Sequence, residues 1–105
     1  MAAKRVTLAG LIPVGFEVLT LSNSTAAGLN STNRTATVFD VSVETNNARY
    51  RADGTAPTLT TGVVLLKDVG PYRWEGFNGT AVLKFQRTTG TAKISIQSYK
   101  LAGDQ

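Results

Sequence analysis

Cysteine and histidine are both missing from this chain of 105 residues. Their absence excludes the common zinc sites, thiol nucleophiles and imidazole bases together. It also excludes disulfides, so the fold rests on packing, and cysteine usage leaves the redox compartment open. Charge is scarce as well. Only 17% of residues are charged, and the surface must therefore be built largely from Thr, Ser, Asn and Gln. The net charge of +4 is not gathered into stripes, the longest cationic run being Lys4-Arg5. Nucleic acid is disfavoured as a partner on that ground, whereas a modest positive field suits an acidic protein surface. No apolar run reaches the length of a membrane span, and no membrane contact is expected. Lys4-Arg5 followed by residues 6–16 loosely imitates a signal peptide, but Gly10, Pro13 and Gly15 interrupt it. The expectation is a soluble protein used at full length.

The length fits one domain over residues 1–105, with the termini as possible extended arms. No sustained helical period is present. Alternation of period two recurs instead, in segments rich in Thr, Val, Ile and aromatics. Strands are predicted over residues 5–9, 16–21, 35–44, 48–52, 62–66, 72–77, 80–87 and 91–101. In the third, Thr35, Thr37, Phe39, Val41 and Val43 share one face. Residues 62–66 form a nearly continuous apolar run, which predicts a strand buried on both faces. Asn46 and Asn47 predict a tight hairpin turn, and Asn78-Gly79 predicts another. Asp53, Gly54 and Pro57 end the strand at 48–52 and open a loop; Gly90 marks the turn before the last strand. In that last strand Tyr99 and Leu101 fall on the polar register, so an irregularity or partner contact is expected near Ser98. Residues 22–34 form a long polar loop, suited to binding or packing. The fold expected is an antiparallel β-sandwich or jelly roll of about seven to eight short strands.

Few residues offer chemistry. The seven carboxylates are Glu17, Asp40, Glu44, Asp53, Asp68, Glu75 and Asp104, and no motif pairs any two of them. Asp53 and Asp68 stand beside turn residues, where a short acceptor caps backbone amides. The loops at 22–34 and 53–58 lack the spaced acidic residues of a calcium site, so no metal and no cofactor are expected. The four N-x-S/T sequons, at Asn23, Asn30, Asn33 and Asn78, carry no weight without a signal peptide. Arg49 and Arg51 share one face of a strand. They read either as a contact rib that forks onto a partner's carboxylates or as a solvated face that guards an edge. Exposure logic adds Arg73, Phe77 and Tyr99 as contact residues. Tyr72, Trp74 and Phe77 form the aromatic concentration, with Trp74 read as core between outward Arg73 and Glu75, and Phe77 as exposed at a hairpin tip.

Residues 48–58, Ala-Arg-Tyr-Arg-Ala-Asp-Gly-Thr-Ala-Pro-Thr, followed by Gly62, resemble a pattern found in a family of small all-β proteins. Tailed bacteriophages encode that family among their virion genes. The stretch from Leu83 to Tyr99 is similar to the family's C-terminal hairpin: an aromatic–x–Arg strand, a Thr-Gly-Thr turn and an alternating strand closing on tyrosine. The two segments cover about half of the chain, and Lys84-Phe85-Gln86-Arg87 departs from the Phe-Arg-Phe-Ile-Arg-like residues of the family. The resemblance implies a non-enzymatic structural role in a virion assembled in a bacterial cytoplasm. The leading form is a capsid decoration (cement) protein that bridges subunits of the major capsid protein. It would act as a small cyclic homo-oligomer such as a trimer, with Arg49 and Arg51 on acidic shell residues. A tail, head–tail adaptor or fibre-base protein is the alternative. A carbohydrate-binding module stacking sugars on Tyr72, Trp74 and Phe77 is a further one.

Overall fold

The computed structural model describes residues 10–75 and 83–101. Eight strands run in the order β1 (Leu11–Leu21), β2 (Ala27–Gly28), β3 (Val38–Glu44), β4 (Ala48–Arg51), β5 (Val63–Leu65), β6 (Tyr72–Glu75), β7 (Lys84–Arg87) and β8 (Ala92–Leu101). They form two four-stranded antiparallel sheets, ordered β1-β8-β3-β6 and β2-β7-β4-β5. With the chain passing back and forth between the sheets, this is the arrangement of an eight-stranded jelly roll. The fold class read from the sequence is the one observed.

Period-two patterning explains each layer. Phe39, Val41 and Val43 of β3 and Ala92, Ile94 and Ile96 of β8 point inward and are buried; Ala48, Leu65, Leu83 and Phe85 meet them from the other sheet. Trp74 and Tyr50 join this core from either side, with ring centroids 5.1 Å apart, and Trp74 stacks on Phe85 at 6.3 Å. Each large apolar side chain buried there contributes about 1.5–3 kcal/mol.

Several local expectations change. β1 begins five residues before the predicted strand and runs through Pro13 and Gly15. Pro13 is tolerated because β1 is an edge and its missing N–H is not needed by a second neighbour. The irregularity expected near Ser98 lies across from it. Register slips between Pro13 and Gly15, making Val14 the extra residue, while β8 keeps strict alternation and buries Ser98. The predicted strand at 35–44 starts only at Val38, after a 3-10 turn at Asn33–Thr35.

The first predicted hairpin is not one, and the strands assigned to the second do not pair in their described residues. β3 and β4 belong to different sheets, so the chain at residues 45–47 crosses the sandwich. The left-handed residue there is Thr45, at φ 80°, in place of the expected Asn46 or Asn47. Both asparagines instead brace neighbours: Asn46 Nδ2 donates to the Thr91 carbonyl, and Asn47 Oδ1 accepts from the Lys67 N–H. β6 and β7 also lie in different sheets, and their described residues do not pair with each other; Asn78 and Gly79 fall outside the described residues, as does the predicted strand at 5–9. The turn at Gly90 makes a further crossing, from β7 to β8, at the end where Asn46 sits. Gly90 has φ 60°, and a Cβ on it would stand 2.6 Å from Asn46 Nδ2, so these two crossings interlock.

The loop at 22–34 packs onto its own domain. Leu29 and Asn33 are buried, and Ala27–Gly28 adds a short strand beside β7. Asn33 Nδ2 donates to Glu17 Oε2 at 2.7 Å, and the backbone N–H of Asn30 donates to the same oxygen at 3.0 Å. On its other side Asn33 Oδ1 accepts from Ser98 Oγ, which also lies 3.1 Å from the Gly15 carbonyl. Glu17 thus holds an inward register position on β1 with its charge spent on the loop.

Candidate functional site: the β4–β5 corner

The motif at 48–62 builds one corner of the second sheet, and nearly every polar residue in it has an internal task. Arg49 points away from the core, as alternation requires, but its guanidinium is turned onto the loop that follows. Nε donates to the Leu59 carbonyl and Nη1 to the Gly62 carbonyl, both at 3.1 Å. Pro57 is buried in the same loop, and Thr58 Oγ1 accepts from the N–H groups of Thr60 and Thr61. Gly62, at φ 138°, brings the backbone so close to Arg49 and Pro57 that a Cβ would meet them at 3.0 and 3.1 Å. No other residue type takes that backbone conformation without strain.

Arg51 turns onto Asp53. Nε donates to Oδ1 at 3.1 Å and Nη2 to Oδ2 at 2.5 Å, a two-pronged pair at the surface. Asp53 Oδ1 also accepts from the Thr55 N–H at 3.3 Å, and Gly54 follows at φ 86°. The hydrogen bonds from Arg51, then that from Thr55, hold the Asp53 carboxyl below its ordinary value; the bond to Asp53 holds Arg51 above its own. The rib that the sequence suggested for a partner's carboxylates is therefore two internal ties. Arg49 pins the loop, and Arg51 closes the turn.

Arg73 is engaged in the same way on the first sheet. Its Nε and Nη2 donate to the two oxygens of Asp40, each at 2.7 Å, and its guanidinium lies 5.8 Å from the centre of the Tyr99 ring. The Asp40 hydrogen bonds raise the Arg73 pKa. Arg73 and Tyr99 are brought together, but as a cluster closed on Asp40 rather than as open contacts. Phe77 lies outside the described residues. Tyr72 and Trp74, offered as a stacking platform with Phe77, are half-buried and pack against the core, and the Tyr72 hydroxyl accepts from the Leu66 N–H.

What the corner leaves open is apolar. Among the described residues β5 is an edge strand, paired only with β4, and the expected burial on both faces does not occur: Val63 and Leu66 are more than half exposed, and Val64 is 41% exposed. Only Leu65 enters the core. Beside Val63, a shallow depression with a volume of about 430 Å³ opens between Tyr50, Arg51, Asp53 and Gly62. An apolar run reads as buried because local sequence does not say whether a strand lies at a sheet's edge. The absence of a cation between Asp53 and Lys67 is the one available signal, since protected edges usually carry lysine or arginine.

Among the described residues no three acidic side chains gather into a cation site, and no helix is long and apolar enough to cross a membrane. The corner can bind by apolar contact and by its unpaired strand edge. No family model, no curated protein and no solved structure matches this chain.

Proposed function

We propose that this chain is a non-enzymatic structural protein of a tailed-bacteriophage virion, and that it decorates the capsid by docking its β4–β5 corner on the shell. The observation that carries the reading is the division of labour at that corner. Arg49, Arg51, Asp53, Pro57 and Gly62 are all spent on shaping the loop, which leaves Val63, Val64 and Leu66 presented on a fixed edge. Those motif residues are also the ones that resemble the phage family. The jelly-roll order supports the reading by analogy, since viral shell domains use it, although lectin domains do so too. Attachment through a small apolar edge suits a particle, where many weak contacts repeated by symmetry hold firmly.

Two measurements test this. The copy number of the chain per purified virion, by quantitative mass spectrometry against the major capsid protein, is expected near parity with the shell. About a dozen copies would move the protein to the tail or head–tail junction, and none would overturn the virion reading. In a particle-binding assay, Val64→Glu with Leu66→Glu is expected to abolish attachment, while Arg51→Ala leaves it intact. Loss with Arg51→Ala but not with the double variant would return the contact to the cationic rib.

A further inference from the structure

The second exposed apolar strip lies on β1, at the far side of the molecule from β5. β1 is the edge of its sheet and pairs only with β8 among the described residues. Its outer face presents Phe16, 60% exposed, and Val18, 49% exposed, followed by Thr20. The only charge in the strand, Glu17, is turned inward and bonded to Asn30 and Asn33. Pro13 and the bulge at Val14 protect one end of the strand, but from Phe16 to Leu21 it has no outward charge and no proline. Edge strands of that kind pair with another chain unless something prevents it.

We infer that a second copy of this chain occupies the edge, pairing β1 with β1 antiparallel about a two-fold axis at Val18. Such a pairing sets Val18 against its own equivalent and Phe16 against Thr20, all on the outer face, because antiparallel register about one residue preserves side-chain parity. The neighbouring rows are compatible. Ser95 of β8 flanks Val18, and Gln97 flanks Phe16. The charges of this face already stand opposite partners of their own molecule, Asp40 against Arg73 and Glu44 against Lys93. In the joined sheet, a row ending in Thr20 and Lys93 meets a row ending in Phe16 and Gln97. No like charges come together, although each chain carries +4. An acidic partner would gain nothing from a strip without cations.

The length of the edge agrees with a specific but weak dimer. Overlap of residues 15–21 with their equivalents spans about 23 Å at the rise of a strand. A contact made by one strand edge of that length belongs at the small end of specific interfaces, so the association should be weak and concentration-dependent. The inference goes beyond the docking reading and does not rest on it, since it uses the opposite edge.

Sedimentation equilibrium of the full chain, from low micromolar to near-millimolar concentration, is expected to show the average mass rising from the 11.1 kDa monomer toward twice that value. Val18→Lys, which sets two cations on the axis, should hold the protein at the monomer mass, whereas Val64→Lys on the other edge should leave the rise unchanged. Because the chain has no cysteine, Val18→Cys should form a disulfide dimer on oxidation and Val64→Cys should not. A monomer at every concentration, a trimer, or a dimer indifferent to Val18→Lys would overturn the inference.

Discussion

Replacing Gly15 by alanine tests how the long polar loop is held. The backbone at Gly15 is not left-handed, so alanine carries no conformational penalty there. Its Cβ would, however, stand 2.8 Å from Asn33 Oδ1, closer than such contacts occur. Asn33 is fully buried and cannot step aside without giving up its bond to the Glu17 carboxylate and the one from Ser98. A neutral buried hydrogen bond is worth about 1 kcal/mol and one to a charged group about 1.5–3, so Gly15→Ala should destabilise by about 2–4 kcal/mol. Asn33→Ala alone should cost about 2–3 kcal/mol, because Ser98 keeps the Gly15 carbonyl and Glu17 keeps the Asn30 N–H. The decisive quantity is the double variant. With the asparagine gone the added methyl has room, and Gly15→Ala should then cost a few tenths of a kcal/mol, a coupling of about 2 kcal/mol. Urea unfolding followed by fluorescence of Trp74, the single tryptophan, reads all three, with midpoint shifts of about 1–2 M for the single variants. Simple additivity of the two changes would refute the argument that Gly15 is glycine to admit Asn33.

The two arginines of the motif should separate cleanly. Arg49→Met removes both bonds to the 59–62 backbone from a part-buried site and should destabilise by about 2–4 kcal/mol, with faster amide exchange through residues 58–62. Arg51→Ala should leave the unfolding midpoint unchanged, as its pair with Asp53 is exposed to solvent. The same pair fixes a pH dependence. Asp53 is held below its ordinary 3.8, so its contribution is fully present above that value and is lost as pH falls through the lower, folded pKa. Carbon-detected titration of the Asp53 carboxyl should give a value under 3.8 that moves upward in Arg51→Gln; no movement would mean that the pair does not persist in solution.

The faces of β4, the first part of β8 and β3 from Phe39 onward could be read from alternation alone, since inward and outward residues there differ in kind; Val38, buried beside Phe39, is the exception. So could the corner at Asp53-Gly54. Sheet membership could not. Asn46-Asn47 announces a turn equally well for a hairpin and for a crossing, and the choice is made by distant strands, β8 filling the place beside β3. The candidate site was only partly legible for a related reason. Alternation gave the direction of Arg49, Arg51 and Arg73 but not what their forks find, and carbonyls or a carboxylate of the same chain lay within reach. Apolar residues at an edge read as core because burial depends on neighbours in space. Asn33, placed in a run of Ser, Thr and Asn, gave no hint that it alone would be enclosed.

The position of β8 also governs when the molecule can come into being. β8 follows every other described strand, yet it fills the gap between β1 and β3 and is the only described strand that joins them. A ribosome must release it before the first sheet can close. Until then β1 and β3 each lack a neighbour; β4 and β5, adjacent in sequence and paired, can form first, and β3–β6 and the rest of the second sheet also precede β8. The nascent protein therefore passes its synthesis with two long apolar strands unsheltered, and the hazard ends with a single late event. A stop codon only ten residues before Leu101 would leave of the first sheet no more than the β3–β6 pair, whereas the corner bearing the motif would keep its strand pairs.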